Sequence, residues 1–176
     1  VDKIVPDEPS KVLSIAGDIG HHNLQNAYLF KSLKRYYDHI VYVYGNHDLY
    51  LVSKSIQKTF QGNSWYRLKD MVSRVSEIEN CHFLDGTRIE IDGVTFGGAG
   101  AWYNYDYAMY EHQLTLQASK NLWDKFMADG SYIFTGNYKN MDSNDVIDLH
   151  NKEYQKVEGV LQSDVIITHV PPDYSN

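Results

Sequence analysis

Apolar and polar positions along the chain fall into two patterns that alternate. Short, mostly apolar runs occur at Val12 to Ala16, at Ile40 to Tyr44 and at Val165 to Thr168. Runs this short, rich in β-branched residues and closed by glycine or proline, predict strands, that of Ile40 to Tyr44 a buried one. Between the first two, Leu29, Leu33, Tyr36 and Tyr37 recur at helical spacing while Lys31, Lys34 and Arg35 fall opposite them. That spacing predicts a helix over Leu24 to Tyr37 with Asn23 as its N-cap. Strand, turn, helix and strand in about thirty residues form a βαβ unit, whose strands lie parallel with a right-handed crossover.

Further along, Leu49 to Phe60 reads as partly helical, and Ser64 to Ile78 as a helix capped by Ser64 with Leu68, Met71, Val72 and Val75 inward. Cys81 to Leu84, Arg88 to Ile91 and Val94 to Gly97 read as short strands, and Asp92-Gly93 is a strong hairpin signal. The chain thus changes from crossover to antiparallel connections. Leu114 to Met127 and Ser143 to Leu161 follow as helices, the second beginning near Ser143 or Asn144, with a loop-like stretch from Asp129 to Asn140 between them. Val1 to Lys11 is an irregular lead-in, and Val170-Pro171-Pro172 closes the last strand. No repeat, low-complexity tract or linker divides the chain, so residues 1–176 are expected to form a single domain.

Composition narrows the function. Of 176 residues, 43% are hydrophobic and 22% charged, as in ordinary soluble globular proteins. A formal charge of −7 disfavours a surface that wraps nucleic acid, although a nucleotide substrate remains open because bound cations can dominate a local site. No run reaches the length of a membrane span, so no membrane partner is expected. The single cysteine, Cys81, lies in a predicted strand, reads as a buried inert thiol and fits a reducing, cytoplasmic setting. The glycines from Gly97 to Gly100 lack the spacing of a phosphate loop and instead mark a strand end where backbones approach closely. Trp102, Tyr103, Tyr105, Tyr107 and Tyr110 form an aromatic cluster that either packs or lines a pocket. In the second case it would suit a sugar- or nucleotide-binding domain.

The chemistry collects where the apolar strands end. One strand delivers Asp18, another Asn46, His47 and Asp48, and the last His169. In a parallel arrangement these carboxyl ends share one edge of the sheet. Each residue alone suits a turn or a structural histidine, whereas turn chemistry does not account for the set. A carboxylate can bridge two cations while an amide oxygen and a neutral imidazole complete a coordination shell. Two cations about 3.5–4 Å apart can clamp a phosphoryl group and generate hydroxide at neutral pH. An imidazole outside the metal shell could then protonate the leaving oxygen, and His47, oriented by the neighbouring Asp48, suits that role.

Gly17-Asp18, Gly45-Asn46-His47-Asp48 and Thr168-His169 together resemble three successive blocks of the calcineurin-like metallophosphoesterase superfamily, and the resemblance spans Val12 to Pro172. The segment Val94 to Trp102 also resembles a stretch of small bacterial and phage members. The resemblance implies a two-sheet α/β sandwich with mixed sheets flanked by helices, in αββα layers. It implies two divalent ions (manganese, iron or zinc) in the complete protein, with Asp18 bridging them and Asn46 and His169 binding the second. His47 would contact the scissile phosphate, supported by Asp48. The implied activity is hydrolysis of a phosphomonoester or phosphodiester; the alternative is a non-catalytic binding or scaffold module on the same fold.

The sequence departs from the family pattern in three places. The Asp-x-His block that opens the family and the Gly-His-x-His block that closes it have no counterpart here. These 176 residues are therefore expected to bind metal weakly and to be weak or inactive alone, as the middle of a longer enzyme. Where a partner acid or asparagine usually follows Gly-Asp, His21 and His22 stand instead. They read as a solvated loop pair, with replacement ligands or, beside Trp102 and Tyr103, substrate lining as the alternatives.

Overall fold

The computed structural model describes residues 5–171. Pro172, in the turn expected after the last strand, and the first residues of the lead-in lie outside that range. Strands β1 (Val12–Ala16), β2 (His39–Val43) and β3 (Cys81–Phe83) form a parallel sheet in that order, joined by helices α1 (Asn23–Leu33), α2 (Lys54–Thr59) and α3 (Ser64–Ser76). A second sheet has the order β4 (Thr87–Ile91), β5 (Val94–Ala99) and β8 (Val165–Thr168), with β4 antiparallel and β8 parallel to β5. Between β5 and β8 the chain makes α4 (Asp106–Glu111), α5 (Leu116–Phe126), α6 (Asp129–Tyr132), a hairpin of β6 (Phe134–Gly136) and β7 (Lys139–Asn140), and the long α7 (Ser143–Glu158).

The apolar run of β2 explains the layering. Ile40 and Tyr42 point to one side, into a core with Phe30 and Leu33 of α1 and Leu68, Met71 and Val75 of α3. Val41 and Val43 point to the other side, against Ile91, Phe96 and Ile167 of the second sheet. Period-2 alternation of wholly apolar residues therefore buries both faces, at roughly 2 kcal/mol per large side chain removed from water. On the far side, α7 lies on β5, where Gly97 leaves room for Val160 and Ser163. Helix, sheet, sheet and helix are the layers that the sequence implied.

Four local expectations are corrected. Strand β8 belongs to the second sheet, so the strand ends that carry polar residues meet across two sheets instead of along one. Asn23 is not the cap of α1: His22 takes that position, while the Asn23 side chain donates to Arg67 O at 2.7 Å and Asp70 Oδ2 at 2.8 Å. A partner on α3 outcompetes the local cap. Ser64 likewise yields the cap of α3 to Asn63, and its hydroxyl accepts from Phe134 N at 2.9 Å. The stretch expected as loop, Asp129 to Asn140, folds into α6 and the β6–β7 hairpin.

Candidate active site

The turns after β1 and β2 approach so closely that side chains are excluded between them. A Cβ on Gly17, which has φ +82°, would lie 2.8 Å from Tyr44 C, and one on Gly45 would strike the Asp18 carboxylate and lie 2.8 Å from the His169 ring. Asp18 itself takes a left-handed backbone, φ 57°, which short polar residues tolerate best after glycine. The buried carboxylate of Asp48 holds this arrangement. Its Oδ2 accepts from Asp18 N at 2.9 Å and Gly45 N at 2.8 Å. Its Oδ1 accepts from Ile19 N at 3.0 Å and Gly20 N at 3.4 Å. Burial pushes this carboxyl above its usual range, while the Gly45 and Gly20 amides and the Arg67 guanidinium oppose that shift. Arg67, fully buried on α3, donates to His47 O at 2.9 Å and to Gly20 O, fastening both turns to the helix. Burial lowers its guanidinium to about 10, leaving it charged at neutral pH.

Three lone-pair donors converge in front of these turns. His169 Nδ1 lies 2.7 Å from the Ala16 carbonyl, which can only accept, so Nδ1 donates there and Nε2 is the nitrogen that faces Asn46 and Asp18. Asn46 Nδ2 donates to Asp129 Oδ1 at 2.8 Å and Tyr50 Oη at 3.2 Å, which turns Asn46 Oδ1 toward His169 Nε2, 3.1 Å away. Asp18 Oδ1 stands 3.5 Å from the same nitrogen and also accepts from His47 N at 3.0 Å. An amide oxygen, a carboxylate oxygen and an imidazole nitrogen held together call for a shared positive charge, which a proton on the ring or a metal cation supplies. The trio therefore fits a divalent metal. Among the described residues no group of three His, Cys, Asp or Glu side chains does so; the third donor here is an amide.

Known proteins bear on this arrangement. The family model for calcineurin-like phosphoesterases matches residues 1–176. The chain belongs to the calcineurin-like phosphoesterase family. An uncharacterised protein of Acanthamoeba polyphaga mimivirus is 30% identical over 101 residues, covering 57% of this chain and 34% of that protein. The crystal structure of a phosphopantetheinyl hydrolase from Mycobacterium tuberculosis superposes with a TM-score of 0.65 at 16% identity, covering 97% of this chain and 61% of that one. The chain thus spans about a third of the viral relative and less than two thirds of the solved neighbour.

At this edge, His47 is positioned differently from the expectation. Its Nδ1 lies 2.9 Å from His21 Nε2, and its ring stacks on Tyr50 with centroids 4.4 Å apart and on His21 at 5.1 Å. The orienting group is an imidazole and a phenol, since the hydrogen bonds of Asp48 go to backbone amides. Burial, then the charges of His47, Arg67 and His22, lower the His21 pKa, so His21 is neutral at pH 7 and its Nε2 can accept the Nδ1 proton of His47. His21 is thus half-buried beside the site, whereas His22 is exposed at the start of α1. Trp102 is buried in the core beside Tyr103. The Tyr103 hydroxyl donates to Asp129 Oδ2 at 3.0 Å and accepts from Trp123 Nε1 at 2.7 Å.

Sequence reasoning missed Arg67, Tyr50 and Asp129. Arg67 carried a usable signal, because it falls on the buried stripe Ser64, Arg67, Leu68, Met71 and Val75 of an otherwise apolar helix face. A charge on such a stripe needs a buried partner. Asp129-Gly130-Ser131 reads only as a turn.

Proposed function

We propose that this chain carries the catalytic edge of a metal-dependent phosphoester hydrolase. The observation that supports it is the convergence of Asp18 Oδ1, Asn46 Oδ1 and His169 Nε2 from the ends of strands in two sheets. Asp18, Asn46 and His169 would hold one divalent cation, and Asp18 would offer its remaining oxygen to a second. Cations bound there would polarise phosphoryl oxygens and acidify an attacking water. Mixed oxygen and nitrogen donors suit manganese, iron or zinc.

The chain's own side chains do the rest. Asp48 and Arg67 fix the two turns from behind, so the donors keep their spacing without a ligand present. Tyr50 and His21 clamp the ring of His47. With Nδ1 engaged by His21, Nε2 of His47 delivers the proton to the leaving oxygen. Burial raises the Cys81 thiol to about 11, which keeps it out of nucleophilic chemistry.

The test is metal analysis of the full-length protein together with hydrolysis of a panel of phosphomonoesters and phosphodiesters. Bound manganese, iron or zinc, lost with activity in His169→Ala, is the expected result. Metal binding without turnover of any panel member would leave a non-catalytic binding module on the same fold.

A further inference from the structure

Asp129 lies 83 residues from Asn46 in sequence, opens the short helix α6 and is 1% exposed. Its Oδ1 accepts from Asn46 Nδ2 at 2.8 Å and from Tyr50 Oη at 2.7 Å, and its Oδ2 accepts from Tyr103 Oη at 3.0 Å. An asparagine amide occupies nearly the same space after a half-turn about its last torsion, so its partners alone decide which end faces where. A carboxylate accepts only. Asp129 therefore holds the NH2 end away from His169 and the oxygen end toward it. Tyr50 shares the same carboxylate oxygen and stacks on His47, so one buried group sets both side chains.

We propose that Asp129 is a positioning residue that holds the Asn46 amide oxygen-forward, preorganised for a divalent cation. This rests on Asn46 being a metal ligand. Calorimetric titration of the full-length protein with Mn2+ tests it through a double-mutant cycle. Asp129→Asn should weaken Mn2+ binding about tenfold or more, the usual cost of losing an outer-shell partner. Asn46→Asp supplies a carboxylate whose two oxygens are equivalent and need no orienting. In that background Asp129→Asn should not lower the affinity, because its new amide can donate to the carboxylate at position 46 and the repulsion between two facing carboxylates is removed. Equal losses in both backgrounds, as a merely structural role for Asp129 would give, overturn the inference. No loss in Asp129→Asn while Asn46→Ala loses binding also overturns it, leaving Asn46 as a ligand. Unchanged affinity in Asn46→Ala overturns the ligand role itself. If Asp129→Asn is too unstable to assay alone, the exchanged pair carries the test. It must fold and bind Mn2+ as well as Asn46→Asp does, and failure overturns the inference.

Discussion

Asp48 and Asp129 are both buried carboxylates behind the same edge, yet one holds backbone and the other holds side chains. Asp48 sits in the turns after β1 and β2 and collects the amides of Asp18, Ile19, Gly20 and Gly45. Asp129 comes from the segment between β5 and β8 and collects Asn46, Tyr50 and Tyr103. Loss of the first should unseat the main chain. Loss of the second should leave the main chain in place and change which atoms face the centre. The strand-end region thus supplies shape, and the intervening segment supplies the orientation of one functional group.

Substitutions should separate these roles, beginning with the largest effect. Asp48→Ala leaves the amides of Asp18, Ile19, Gly20 and Gly45 without their acceptor and should cost about 4 kcal/mol, read from denaturant unfolding. If Asp129→Asn destabilises the fold as much, the distinction between the two carboxylates fails. His47→Ala should lower turnover about a hundredfold for substrates with poor leaving groups and much less for an activated aryl phosphate. Equal losses on both substrates would remove His47 from proton delivery and leave its ring a packing role.

A smaller effect concerns the anchor of the intervening segment. Where the chain leaves β5, Ala101 N donates to the buried Glu153 Oε2 at 3.1 Å, and Lys156 Nζ lies 2.6 Å from both Glu153 Oε1 and Asp85 Oδ1. Burial pulls the Lys156 pKa down, but the Asp85 and Glu153 carboxylates outweigh it and raise the value above the ordinary 10.5. A raised amine pKa means that this contribution to stability is complete below 10.5 and is lost as pH climbs through the higher folded value. Lys156→Met should therefore destabilise by about 2 kcal/mol at pH 7, and the gap to the wild type should narrow only in strongly alkaline buffer. A gap that narrows between pH 7 and 9 would place the dependence on another group.

Much of the architecture was legible because strand patterning is local. Val12–Ala16 forms β1 as the apolar run predicts, and Asp92-Gly93 turns the β4–β5 hairpin with φ of 51° and 81°. The conjunction of Asp18, Asn46 and His169 was legible for the same reason, since each follows an apolar strand. The segment from Asp129 to Asn140 was not. Its elements run four, three and two residues, too short for any period to show. Distant contacts hold them instead, such as Leu51 N donating to Tyr132 O at 2.8 Å and Ser64 accepting from Phe134 N. The partner of His47 was hidden likewise: sequence adjacency suggested Asp48, while the chain's path brought His21 across 26 residues.

Anomalous diffraction from crystals of the full-length protein soaked in Mn2+ tests the central claim most directly. A peak within coordination distance of Asp18 Oδ1, Asn46 Oδ1 and His169 Nε2, absent in His169→Ala, is the predicted result. Manganese found elsewhere, such as at the half-buried pair His39 and His82, whose Nδ1 and Nε2 lie 3.3 Å apart, with none at the strand ends, would contradict it.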